Sequence, residues 1–242
     1  MKTDKYYESQ IKCDVLNSLR KHRVIDSRSI VASEYKLGST GRRADLAVYN
    51  GSKLIGIEIK SKHDSLVRLR DQLDVYGACF DEVMLVSDER HISSALNISP
   101  LGVSVFEIDP FGCITLRREA TTSRARAKLG CLQLLTVTEL KKLTGVPLNV
   151  SMKKRALLAE ADQVPDELII GAATEAFIQA FSDTSLRFWR SVGRKKITPD
   201  ELIALSRFAP ERMMIREKKE QKALFWEMWR RQATAVLQGA SS

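Results

Sequence analysis

The sequence predicts an α/β fold: an α+β mixed sheet flanked by helices, followed by a C-terminal all-helical domain. Three observations predict it. Short apolar runs with alternating faces recur up to residue 116. A stripe at three- and four-residue steps interrupts them between residues 66 and 80. From about residue 130 onward the periodicity is helical throughout.

The chain opens on a helix whose apolar face is Ile11, Val15, Leu16 and Leu19, with Glu8 facing solvent. Three strands follow, the first in the segment SIVASEYKLGS. The next two are read from RRADLAVYNGSKLIGIEIK, residues 42–60. Alternation puts Leu54, Gly56, Glu58 and Lys60 on one face and Ile55, Ile57 and Ile59 on the other. Asp45 stands opposite the apolar alternates Leu46 and Val48. A tight turn at Asn50-Gly51 folds these strands into a hairpin and brings Asp45 beside Glu58.

Asp64-Ser65 is placed to cap the next helix, with Leu66, Leu69, Leu73, Tyr76 and Phe80 as its buried stripe. Arg68, Gln72 and Tyr76 form a neighbouring stripe at i, i+4 and i+8. That stripe either faces the acids of the hairpin, or leaves Arg68 solvated and Tyr76 in the core. Residues 81–87 are a strand, 91–97 a short helix, and 103–108 pairs with 113–116 across Asp109-Pro110-Phe111-Gly112.

Residues 117–129, poor in apolar side chains and rich in Arg and Lys, read as a basic linker between a domain at 1–116 and one at 130–242. In the latter, a helix ends at Gly145, Ser151 caps another, and the apolar stretch from Asp166 is buried within a bundle. Thr198-Pro199 opens a further helix, and 211–237 is a long charged one carrying Trp226 and Trp229. Residues 138–160 fit two bundle helices better than a helix-turn-helix, because their connection is long. Arg190, Arg194, Lys195 and Lys196 interleave with Phe188 and Trp189. They either grip nucleic acid or decorate a helix end whose tryptophan is core.

The formal charge is +9, unevenly spread. Residues 1–116 hold 16 Lys+Arg and 16 Asp+Glu, and residues 117–242 hold 23 and 14, so the whole excess lies in the second half. A polyanionic partner or an anionic membrane surface suits it. No run of about 18 apolar residues marks a membrane span. The four cysteines lack metal-ligand spacing and suit a reducing cytoplasm. The three separated histidines and the absence of a phosphate-cradling glycine motif argue against triad hydrolases and NTPases.

Two acids and a lysine converging on one point suit Mg²⁺-dependent phosphodiester hydrolysis. Hard cations take carboxylate oxygens. Asp45 and Glu58 would supply these, with the backbone carbonyl of Ile59 as a third ligand and Mn²⁺ as a substitute ion. Lys60 would position the attacking water or offset charge on the phosphate.

Over residues 8–116 the pattern resembles the PD-(D/E)XK nuclease superfamily. Asp45 and Glu58-Ile59-Lys60 carry the resemblance, with Ala44 where the family name has proline. Glu34 upstream and Gln72-x-x-x-Tyr76 downstream match further features of RecB-like members. The resemblance implies a restriction-endonuclease-like fold and a deoxyribonuclease of bacterial or phage DNA defence, recombination or repair. It also implies an assisting role for Glu34. The helix stripe gives Gln72 an assisting role beside it, and DNA contacts are expected of Arg42, Arg43, Arg68 and Tyr76. Composition leaves RNA open as a substrate, and a homodimer would supply two sites to a duplex. A reading from another class is a non-catalytic DNA-binding or assembly factor that keeps the fold.

Overall fold

A computed structural model describes residues 2–122 and 126–205. The chain order is α1 (Lys2–Lys21), β1 (Ile30–Lys36), β2 (Arg43–Tyr49), β3 (Leu54–Lys60), α2 (Leu69–Cys79), β4 (Glu82–Asp88), α3 (Ile92–Ile98), β5 (Val103–Ile108) and β6 (Ile114–Arg118). There follow α4 (Lys128–Leu134), α5 (Val137–Thr144), α6 (Lys154–Glu160), α7 (Asp166–Val192) and α8 (Pro199–Leu202). The six strands form one mixed sheet in sequence order. β1, β2 and β3 run antiparallel, β3, β4 and β5 parallel, and β6 antiparallel to β5. Parallel neighbours need a crossover, and α2 and α3 provide the two required here. The expected α/β architecture is therefore the one that forms.

Alternation along β3 decides what lies on each side. Ile55, Ile57 and Ile59 pack with Ile11, Val15 and Leu16 of α1 and with Phe188 and Trp189 of α7. On the opposite face Leu54 joins Leu69, Leu73, Tyr76 and Phe80. Gly56 lies under Phe80 so closely that an added Cβ would stand 2.3 Å from the ring. The β2–β3 ladder sets Leu46 against Ile57 and Val48 against Ile55, as the Asn50-Gly51 turn requires.

Among the described residues the helical half is not a separate domain: Met1–Ser206 form one compact unit. The expected boundary at 117–129 is corrected by what its basic residues do. Arg117, in β6, pairs with Glu107 at 2.6 Å. Arg118 donates to the carbonyls of Leu96, Ser99 and Pro100, closing the end of α3. Arg126 is 4% exposed and donates to Thr174 on α7. α7 buries one long stripe at three- and four-residue steps, while Leu168 and Leu186 off that stripe stay exposed. Phe177 and Phe181 meet the sheet, while Ile169 and Ala173 meet the small helices α4 to α6.

α7 also covers the edge strand β1, whose backbone would otherwise be unpaired. The Ser185 hydroxyl accepts from the Val31 N–H at 2.8 Å and lies 3.1 Å from the Val31 carbonyl, to which it donates. Trp189 Nε1 donates to the Ser29 carbonyl at 2.8 Å. Of the two readings of Trp189, core is the one realised.

Two caps differ from expectation. α2 starts at Leu69, because Asp64 accepts from the backbone and hydroxyl of Ser61 instead of capping the helix. α6 begins after Lys153, and Ser151 makes no cap. α5 has a Thr136–Glu139 capping box and ends at Gly145 with φ 74°. Lys128, Lys141 and Lys154 donate to backbone carbonyls, so part of the basic excess serves the fold. The helix expected at 211–237, with Trp226 and Trp229, lies outside the described residues. Among the described residues no helix is long and apolar enough to cross a membrane.

Candidate functional site

β3 is buried along its whole length, yet it ends in two charged side chains: Glu58 is 2% exposed and Lys60 8%. Removing a charge from water costs several kcal/mol unless it is paired and hydrogen-bonded. Both conditions are met locally. Lys60 Nζ donates to Glu58 Oε1 at 2.7 Å and to Gln72 Oε1 at 3.0 Å. Gln72 Nε2 donates to the same Glu58 oxygen at 2.8 Å. The Tyr76 hydroxyl stands 2.5 Å from Glu58 Oε2 and 2.6 Å from the Arg43 carbonyl, two acceptors for one proton. Burial and the charge of Glu58 push its pKa up, so the phenol stays a neutral donor. Gln72 and Tyr76 reach one carboxylate because they are one helical turn apart on α2.

Asp45, at the start of β2, accepts from the Ile59 N–H at 2.7 Å. Burial first, and the charge of Glu58 second, raise its pKa to about 8 against the opposing pull of Lys12. Glu34 of β1 has φ 59°, a left-handed conformation that side-chain-bearing residues seldom adopt. The kink resets the strand's alternation, so that Ala32 and Tyr35, three residues apart, share one apolar cluster. One Glu34 oxygen meets Lys12 Nζ and the other lies 3.2 Å from the Arg43 guanidinium. Lys12 also donates to Glu8 at 2.8 Å, one turn back on α1. Carboxylate oxygens of Glu8, Glu34 and Asp45 all lie within 4.8 Å of one another.

The structure thus brings together Asp45, Glu58, Lys60, Gln72, Tyr76 and Glu34, with Ile59 entering through its N–H. It divides them, however, into two adjoining groups. Glu58 is held by Lys60, Gln72 and Tyr76, while the three-acid group consists of Glu8, Glu34 and Asp45. Glu8 faces solvent as expected, with 47% of its side chain exposed, and it also reaches Lys12 and the three-acid group. Lys12 was not foreseen. The one signal was its place on the border of the Ile11–Val15 stripe, one turn from Glu8, where a lysine usually reads as solvated.

Arg43 reaches the site through Glu34, and Arg42 stands 3.8 Å from Asp71. Arg68 is exposed at the N-terminus of α2. Arg190, Arg194, Lys195 and Lys196 are exposed, around the end of α7 and the segment that follows it. There Lys196 lies 3.5 Å from Asp14, and Arg20 donates to the carbonyls of Gly193 and Lys195. No contact joins them to the acids among the described residues.

Among the described residues this group consists of carboxylates alone, with no thiolate or imidazole, which are the donors a hard divalent cation takes. Asp45 with Glu34 and Glu8 are the residues that would hold it, and Glu58 adjoins them.

Comparison with known proteins gives three findings. A family model described as Bacteriophage P4 protein cII matches residues 1–206, so the chain belongs to that family. The match ends where the first compact unit does. Protein cII of Enterobacteria phage P4 is 34% identical over 100 residues, which span 41% of this chain and 37% of that protein. A solved structure, the SPO1766 protein of unknown function from Silicibacter pomeroyi, aligns with a TM-score of 0.38 at 17% identity, covering 50% of this chain and 75% of that one.

Proposed function

We propose that this member of the Bacteriophage P4 protein cII family is a metal-dependent nuclease of the PD-(D/E)XK kind, hydrolysing DNA phosphodiester bonds with Mg²⁺ or Mn²⁺. The observation that carries the reading is the convergence of Asp45, Glu58 and Lys60 at one end of β2 and β3, with Gln72 and Tyr76 holding the last two in place. A divalent cation, when held by the acids, supplies polarisation of the scissile phosphate and acidification of a water.

The chain's own residues do the rest. Glu58 fixes Lys60 by a 2.7 Å ion pair, and Gln72 holds both. The Lys60 ammonium is thereby set to orient the attacking water and to offset charge gathering on the phosphate. Tyr76 locks the second oxygen of Glu58, which keeps the glutamate from turning away from Lys60. Arg43, 55% exposed beyond Glu34, is a cation able to meet a backbone phosphate from outside. DNA as the substrate, and a role in phage or bacterial DNA defence, recombination or repair, rest on the sequence resemblance.

The test is cleavage of labelled duplex, single-stranded, branched and circular DNA, and of RNA, in Mg²⁺, Mn²⁺ or EDTA, by wild type and Lys60→Ala. Metal-dependent cutting should fall about 10²–10⁴-fold in the variant. Cutting of RNA alone would reassign the substrate. No cutting of any substrate, with salt-sensitive binding equal in both proteins, would replace the enzyme with a non-catalytic DNA-binding or assembly factor.

A further inference from the structure

Among the described residues three lysines are buried: Lys141 donates to backbone carbonyls, whereas Lys12 and Lys60 meet acids and are placed differently. Lys60 is bonded to one acid and one neutral amide. Lys12, 5% exposed, is bonded to Glu8 and Glu34 and lies in the field of Asp45. Those are the three acids whose oxygens cluster. Burial works against the Lys12 charge, but Asp45 and the two hydrogen bonds outweigh it, so the group stays an ammonium.

We propose that Lys12 is a tethered counter-ion which occupies the three-acid group until a divalent cation displaces it, making metal loading and Lys12 release a single exchange. The inference rests on the metal-dependent reading above. Carboxylates clustered in this way repel one another without a cation among them, and the ammonium provides one. A divalent cation in the same group would face that ammonium at close range, and like charges there cannot both be favourable. The lysine is the one that can leave, since its charge rides on a flexible four-carbon stem. α1 does not depend on it for anchorage: Ile11, Val15 and Leu16 hold the helix to the sheet. Lys60, outside the three-acid group, stays in place.

Linkage makes the exchange measurable from both sides, because each ligand must change the other's affinity equally. Mn²⁺ binding to the full chain would be measured by calorimetry for wild type, Lys12→Met and Lys12→Arg. Lys12→Met should bind at least about tenfold more tightly than wild type, and Lys12→Arg within about threefold of it. In wild type alone, amine labelling read by mass spectrometry should rise several-fold at Lys12 when Mn²⁺ is added, with exposed Lys36 unchanged.

Metal binding by wild type with equal or weaker binding by Lys12→Met would overturn the exchange and make Lys12 an organiser of the acids. That outcome leaves the nuclease reading standing. No binding by either protein would remove both. If Lys12→Met fails to fold, the labelling decides: Lys12 equally protected with and without bound Mn²⁺ overturns the proposal.

Discussion

Metal affinity should fall steeply with acidity from a pH near 8 downward. The cause is Asp45, whose carboxyl is raised from 3.8 to about 8 by burial and by the charge of Glu58. Below that value Asp45 carries a proton that a cation must displace. One proton released per ion bound means about tenfold in affinity per pH unit, so about a hundredfold between pH 8 and pH 6. Above about pH 9 the curve should level, because the carboxylate is already ionised. The same shift predicts the sign for metal-free stability. A folded-state pKa above the unfolded one means that the folded protein binds more protons between 3.8 and about 8. Its stability from this group therefore declines as pH rises through that window and is flat on either side. The assay is Mn²⁺ calorimetry across the range in pairs of buffers with different ionisation enthalpies, which counts released protons directly. Nearly one proton should appear at the acid end and almost none at the alkaline end. Affinity independent of pH from about 6 to 8, with no proton released, would refute the argument from burial and from Glu58.

Three substitutions probe the scaffold of the site. Gly56→Ala would drive a methyl into Phe80, costing about 1–3 kcal/mol, and Phe80→Leu in the same chain should recover part of it; equal melting temperatures for wild type and Gly56→Ala would contradict the packing. Tyr76→Phe removes the donor to Glu58 and the Arg43 carbonyl and should cost about 1–3 kcal/mol in denaturant melts. It should also slow cleavage by loosening Glu58, and unchanged stability would show that the hydroxyl is dispensable. Ser185→Ala leaves the buried Val31 N–H without its partner and should destabilise by about 1–3 kcal/mol. Hydrogen exchange should then quicken at Val31, whereas unaltered protection would mean that α7 does not hold the strand.

The hairpin was legible because its information is local: a period of two, an Asn-Gly turn, and charges that break an otherwise apolar strand. Gln72 and Tyr76 were legible for the same reason, as one helical turn fixes their common direction. Asp64 misled, since its carboxylate had a nearer donor in Ser61 than the end of α2. Glu34 was found as an acid but not as a kink. Nothing in a glutamate announces a positive φ, which the surrounding structure must impose. Lys12 escaped because a lysine beside an apolar stripe is ordinarily solvated, and only tertiary contacts add Glu34 and Asp45 to the Glu8 one turn back. The basic stretch at 117–129 reads as linker on composition alone, yet Arg118 and Arg126 are spent on carbonyls and a threonine. The apolar character of α7 was plain. What it packs against was not, because a helix encodes how much surface it buries and not whose.

That last point bears on why the site needs more than the hairpin that carries its motif. Glu34 lies on β1, the edge strand, in a conformation that costs about 1–3 kcal/mol to hold. An edge strand paired on one side only would relax such a kink. Here it is clamped from its open side by Ser185 at Val31 and by Trp189 at Ser29, both from α7. α7 in turn is seated on α4 to α6 through Ile169 and Ala173. The small helices therefore support the helix that supports the strand that presents Glu34 to Asp45 and Lys12. Residues 8–116 contain every acid of the site, but a unit reaching past Trp189 is what fixes one of them in place. The family match across residues 1–206, and not across the hairpin region alone, fits that mechanical dependence.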